Sequence, residues 1–253
     1  MKKRLLLQAL LLSSITATAV AQNQAGAIRI SGSTTVYTNV FQTLKERISK
    51  DAGEPLEVIS NGSRQGLSDL ISGKNDIAMI SAPLEELIPR LTEAERAQLD
   101  SQGLVVSSLA ETRLVFIVHE SNPVKSVTIA QLSDLFTGVV KNWKEVGGPD
   151  LPVEVVSNQF SSGQRAVLED RVTGGKKVVA TAKSVMNDPL IPSVVRQLKG
   201  GLGHTGARND LRGVFMLKTD RPIVQPMSLV TRGAPTGRIA RVIAAAQKAA
   251  AAK

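Results

Sequence analysis

The chain has 253 residues, with 31 basic against 22 acidic side chains for a formal charge of +9, and it contains two histidines and no cysteine. The length suits two modest domains, and the lack of cysteine excludes disulfides, thiolate chemistry, a cysteine zinc site and lipid attachment through cysteine. The basic excess is spread along the chain, with one Trp, one Tyr and five Phe, so it offers neither the cluster nor the stacking aromatics of a nucleic-acid surface.

The first 21 residues read as a secretory leader, expected to be cleaved near Ala21. Lys2, Lys3 and Arg4 form a basic start, Leu5 to Leu12 is almost wholly apolar, and Ala19-Val20-Ala21 is a small-x-small cleavage pattern. The apolar run is too short to span a bilayer. Without it, 28 basic side chains remain against 22 acidic ones, a formal +6.

A short strand from Ala27 to Ile30 runs into Ser31-Gly32-Ser33-Thr34-Thr35, followed by a helix with Val36, Val40, Phe41, Leu44 and Ile48 as its apolar stripe. Pro55 to Ser60 reads as a second strand. It leads through Asn61-Gly62-Ser63-Arg64-Gln65-Gly66 into a helix with Leu67, Leu70 and Ile71 that stops at Gly73. Ile77 to Ile80 is a continuous apolar run, as in a strand buried on both faces, and ends at Ser81-Ala82-Pro83. Strand–helix–strand–helix–strand implies parallel crossovers, with all three polar turns at one edge of a sheet.

Thr92 with Glu95, and Thr128 with Gln131, have capping-box spacing for helices ending near Leu99 and Gly138. Arg113 to His119 reads as a strand, Asn142 to Pro149 as a turn-rich connection, and Leu151 to Val156 as a strand. That strand runs into a fourth polar turn, Ser157 to Arg165, and a helix with Val167, Leu168 and Val172. A helix from Asp188-Pro189 is expected to stop at Gly200-Gly201, with His204 in a glycine-rich loop. Strands are expected over 213–218 and 227–230, then a docked alanine-rich helix from Thr236.

A Gly/Ser turn between a strand and a helix gathers free amide N–H groups at the positive end of the helix dipole, which suits an anion. One such turn is also an ordinary N-cap; the recurrence of four is the signal.

The segments Ser31-Gly32-Ser33-Thr34-Thr35-Val36-Tyr37, Asn61-Gly62-Ser63, Asn75 to Leu84 and Ser161-Ser162-Gly163-Gln164-Arg165 resemble the substrate-binding proteins of phosphate-type ABC transporters. So do Asn122-Pro123-Val124, Gln131-Leu132 to Gly138, and Asn142-Trp143-Lys144-Glu145-Val146-Gly147-Gly148. The resemblance covers nearly the whole chain after the leader and is weakest after Lys176.

It implies an α/β, two-domain type II periplasmic-binding-protein fold, with a hinge of two crossing strands (113–119 and 226–231) and an interdomain cleft. Residues 22–112 plus 219–253 would form domain I and 113–218 domain II, the second trimmed after Lys176. Carried over, Ser33, Thr34, Thr35, Ser63 and Ser81 would bind ligand from the first domain, and Ser162, Gly163 and Gln164 from the second. Arg64 and Arg165, each within two residues of a polar turn, are the candidate cations; a solvated helix surface is an equal alternative for Arg64 and the plainer reading of Arg165. Trp143 reads as packing and Tyr37 as a cleft wall.

The implied function is capture of an oxyanion, phosphate first, for an inner-membrane ABC permease, by a periplasmic monomer without cofactor, metal or catalytic activity. Two departures weaken the ligand inference: Ala82 stands where phosphate receptors have an Asp, and Asn158 where they have an Arg. They favour the alternative of a binding or signalling module of the same fold that has lost phosphate specificity and transport. Two distant histidines give little ground for a zinc site or a secreted serine hydrolase.

Overall fold

The structure, a computed structural model, describes residues 26–99, 103–159 and 162–252. The expected leader and its cleavage site lie outside the described residues.

Strand β1 (Ile28–Gly32) pairs in parallel with β2 (Leu56–Ser60) on one side and β3 (Ile77–Ile80) on the other. The crossovers are one long helix and a shorter one, as the alternating sequence pattern requires. The long one comprises α1 (Thr34–Val36), a π-helical turn over Tyr37–Phe41, and α2 (Gln42–Ala52); the shorter is α3 (Ser63–Ile71). All four residues of β3 are buried.

After β3 come α4 (Leu84–Leu87), a 3₁₀ turn over Ile88–Arg90 and α5 (Glu93–Leu99). The α5 capping box forms: Thr92 N–H donates to Glu95 Oε2 at 2.6 Å and Glu95 N–H donates to Thr92 Oγ1 at 3.2 Å.

The second half contains β4 (Leu104–His119), β5 (Ser126–Val127), α6 (Ile129–Thr137), a 3₁₀ turn over Trp143–Val146, β6 (Glu154–Asn158) and α7 (Gly163–Arg171). It continues through β7 (Lys183–Val185), α8 (Leu190–Val195), β8 (Gly201–Gly206), β9 (Val214–Met216), β10 (Lys218–Thr219), β11 (Ile223–Arg232) and α9 (Gly237–Ala251). The main sheet has the order β2-β1-β3-β11-β4-β8-β6-β7, with β9 also on β4, and β5 pairs with β10 apart from it.

Two antiparallel strands carry the chain between the lobes. β4 and β11 pair from Leu104–Arg232 to Leu114–Ile223; one end of the ribbon joins β3 through Ser228–Ile80, and the other joins β8 through Leu114–Gly206. Both strands exceed the expected 113–119 and 226–231, because half-exposed segments such as Val105-Val106-Ser107-Ser108 lack a strong apolar signal.

The glycine-rich segment at 201–206 is a fully buried strand, not the expected loop. Its glycines make room for a helix: a Cβ at Gly203 would lie 2.6 Å from Ile191 Cγ2 and 2.8 Å from Val195 Cγ2 of α8. Pro152 makes an isolated bridge with Asn142, and β6 begins only at Glu154. The helix expected from Asp188 to Gly200 covers only Leu190–Val195.

One apolar cluster crosses both lobes, joining Leu67 and Leu70 of α3, Ile80, Leu114 and Ile223 to Leu132, Phe136, Val167 and Leu168. Trp143 is fully buried, and its indole N–H donates to Gly200 O at 2.9 Å. A second cluster holds α2 and α9 against the first lobe through Ile48, Met227, Val242 and Ala246. No helix among the described residues is long and apolar enough to cross a membrane.

Candidate functional site

The polar turns at the ends of β1, β2 and β3 are fastened to one another before any side chain acts. Ser33 N–H donates to Met79 O at 2.8 Å, while the amides of Asn61 and Gly62 donate to Gly32 O at 3.0 and 2.8 Å. Behind them, Asn75 Nδ2 donates to Ser31 Oγ (2.7 Å) and Gly66 O (3.0 Å), and Asp69 Oδ2 accepts from Ser31 and Asn61. This network fixes the start of α3 beside the start of α1.

Ser33 is the N-cap of α1: its Oγ accepts from Val36 N–H at 3.2 Å. Thr34 Oγ1 accepts from Ser60 Oγ at 3.0 Å, and Thr35 is buried with its carbonyl accepting from Asn39. Ser63 and Ser81 are both buried; Ser81 N–H donates to Ser63 Oγ at 3.1 Å, and the two hydroxyls stand 3.3 Å apart.

The second lobe meets this serine pair directly. Ser162 caps α7, its Oγ accepting from Gln164 N–H at 3.2 Å. Next to it, Gly163 lies so close to the first lobe that a Cβ there would collide with Ser63 Oγ and stand 2.5 Å from Ser81 Oγ. Only glycine allows this approach. Ser63, Ser81, Ser162, Gly163 and Gln164 are thus brought together, with Ser33 and Thr34 on the adjoining turn.

Both candidate cations are held by other partners. Arg64 Nε donates to Arg90 O at 2.7 Å, and its Nη2 pairs with Glu95 Oε2 at 3.2 Å. Arg165 Nε pairs with Glu169 Oε1 at 3.0 Å, and its Nη1 donates to Asn158 O at 3.1 Å. Ala82 is fully buried in the cross-lobe apolar cluster, and Asn158 ends β6 almost completely buried. The hydroxyls and helix starts at the junction are therefore neutral donors.

Two carboxylates, Glu169 on α7 and Asp188 just before α8, gave no clear signal in the sequence. Glu169, 1% exposed, is shared by Arg90, Arg165 and Lys177. Burial pushes its carboxyl up, but hydrogen bonds from Lys177 and Arg165 and the charge of Arg90 outweigh this and hold it below the usual carboxylate value. Only the Arg165–Glu169 spacing of four was visible beforehand. Asp188 accepts from Thr205 Oγ1 at 2.8 Å and Asn209 Nδ2 at 2.6 Å, with the Gln164 amide turned towards it. Burial dominates there and raises its carboxyl.

The family model described as the PBP superfamily domain matches residues 16–248. The phosphate-binding protein PstS of Bacillus subtilis is 25% identical over 185 residues, covering 72% of this chain and 58% of its own length. The chain thus spans little more than half of that curated relative. A putative phosphate ABC transporter substrate-binding protein with bound phosphate, from Clostridium perfringens, superposes with a TM-score of 0.73 at 25% identity, covering 87% of this chain and 92% of that one. An ABC-type phosphate transport receptor from Vibrio cholerae gives 0.69 at 26% identity, covering 89% and 95%. The family match covers most of the chain and the fold superposes on these neighbours over most of both chains, so the chain belongs to the PBP superfamily and has the type II periplasmic-binding-protein fold.

Proposed function

We propose that this protein is an extracytoplasmic solute-binding protein that captures an oxyanion, phosphate first, between its lobes and hands it to the permease of an ABC importer. One observation carries the reading: Ser63 and Ser81 of the first lobe converge with Gly163 at the start of α7 in the second. Hydroxyls and helix N-termini from both lobes then face one buried point, where an anion is held by neutral donors. The phosphate-associated names of its relatives support the choice of ligand.

In this reading 22–112 plus 219–253 form one moving body and 113–218 the other, with β4 and β11 as the hinge. Opening at the Gly163 contact admits the ligand. The leader ends near Ala21, the mature monomer works in the periplasm, and no catalytic step is involved. Ser33, Thr34, Thr35, Ser63, Ser81, Ser162, Gly163 and Gln164 form the ligand set; Arg64 and Arg165 support it through Glu95 and Glu169.

Titration calorimetry of the purified protein with inorganic phosphate tests the proposal, together with small-angle scattering at saturation. Binding accompanied by contraction of the envelope supports it. Absence of phosphate and sulfate binding would defeat it and favour the second reading, a signalling module of the same fold, for which the uncharged Ala82 and Asn158 speak.

A further inference from the structure

Gln225 stands on β11 opposite Thr112 of β4, third from the Ile223–Leu114 end of the ribbon that joins the lobes. Two residues away on the same side of that ribbon, Ile223 and Leu114 belong to the apolar cluster that also holds Leu67 and Leu70 of α3 and Val167 and Leu168 of α7. Side chains two apart along a strand share a face. Met227, two residues the other way on the same face, belongs to the cluster of α2 and α9, so Gln225 lies on the buried side of the ribbon where that cluster meets the one of α3 and α7, while Glu111 and Arg113 on the other side are exposed. The three helices that begin at the polar turns, α1, α3 and α7, all approach β11. Ser81 follows Ile80, whose partner on β11 is Ser228, three residues from Gln225.

Gln225 is fully buried, and neither its Nε2 nor its Oε1 has a hydrogen-bond partner among the described residues. Leaving a buried polar group unpaired costs about 1–3 kcal/mol, whereas an apolar side chain of that shape would cost nothing of the kind. An amide kept under such a penalty, at the floor between two lobes, is suited to a ligand.

We infer that Gln225 is a floor contact of the interlobe site and reads the protonation state of the oxyanion, an inference that rests on the function proposed above. A carboxamide presents a donor and an acceptor side by side. A tetrahedral anion with no proton, such as sulfate, offers acceptors only; it satisfies Nε2–H but sets its own lone pairs against Oε1. Hydrogen phosphate offers both a P–O acceptor and a P–OH donor, so both halves of the amide are met. No charged side chain is needed for this discrimination.

The test is calorimetry with inorganic phosphate and with sulfate at neutral pH, on the native protein, Gln225→Met and Gln225→Glu. The native protein is expected to prefer phosphate at least tenfold. Gln225→Met should lose at least tenfold in phosphate affinity, bringing the phosphate-to-sulfate ratio close to one. Gln225→Glu keeps an acceptor and should bind phosphate but reject sulfate. The ligand-free Met variant should melt no lower than the native protein, since it removes an unpaired amide. A Met variant that unfolds or melts lower shows the amide to be structural and overturns the inference. Native-like affinities in a folded Met variant overturn it too, while leaving the proposed function standing. Failure of the native protein to bind either anion overturns both.

Discussion

Arg90 and Glu169 hold the two lobes together: Nη2 of the arginine, on the turn after α4, lies 2.8 Å from Oε2 of the glutamate on α7, with side chains 8% and 1% exposed. A second pair runs the opposite way, Arg171 of α7 to Glu86 of α4 at 2.9 Å. Each lobe thus contributes one cation and one anion to a common seam beside the polar turns.

Glu169→Ala removes the carboxylate that Arg90, Arg165 and Lys177 share, and should destabilise the fold by about 3–5 kcal/mol. Arg90→Met leaves Arg165 and Lys177 in place, so its cost should be smaller, but the lobe contact should loosen. Denaturant unfolding and the radius of gyration of the ligand-free protein measure the two effects. Because the folded pKa of Glu169 is lowered, its contribution is present above the ordinary carboxylate value of 4.5 and is lost as pH falls through the lower folded value. The Arg90–Glu169 half of the seam should therefore persist at pH 5.

Gly163→Val places a branched side chain where even a Cβ would meet Ser63 and Ser81. The lobes can avoid the clash by staying apart, so the expected result is a folded protein with phosphate affinity reduced at least tenfold, about 1.4 kcal/mol. Calorimetry gives the affinity, and scattering should show that added phosphate no longer contracts the molecule. Normal contraction and affinity would mean that this contact is not part of closure.

Arg64→Ala should affect stability more than binding. Its guanidinium is spent on Glu95 and the Arg90 carbonyl, at 23% exposure. The expected loss is about 1–2 kcal/mol of folding free energy, with phosphate affinity within about twofold of native. A tenfold loss of affinity in the folded variant would return Arg64 to the ligand set.

His204 is fully buried against Ser157 Oγ at 2.8 Å, with Phe136 edge-on at 5.7 Å between ring centroids. Burial, helped by the charge of Arg165, depresses its pKa from 6.5 to about 3. In that interval the unfolded chain binds a proton that the folded one refuses, so stability falls as pH drops below 6.5, approaching ~1.4 kcal/mol per pH unit from this group. The raised carboxyls of Glu86 and Asp188 act in the opposite direction, since their protonation favours the fold. The difference between native and His204→Gln isolates the histidine: thermal melts from pH 7 to 4 should fall more steeply for the native protein. Parallel curves would show that the imidazole takes up its proton in the fold.

The sequence by itself determined the local elements whose signals are complete within a few residues. Both helix capping boxes, the buried β3 run and the four polar turns are of this kind, since capping and strand alternation act over one to four positions. The parallel run of β1, β2 and β3 also followed, because a strand–helix–strand crossover leaves little topological choice, whereas the placing of β1 between the other two came from the structure. The tertiary structure decided what depends on distant partners. β8 is a buried strand because α8 needs Gly203 to be small, and Leu104 to Thr112 is a strand because β11 lies beside it. Arg64 and Arg165 looked like anion ligands by proximity in the chain, yet Glu95 and Glu169 claim them in space. A charged side chain goes to the partner that best repays its desolvation, and that partner lies 31 residues away for Arg64 and four for Arg165. The Arg90–Glu169 seam arises only where the two lobes meet, and the burial of the Gln225 amide depends on what packs over the ribbon, so no stretch of sequence could announce either.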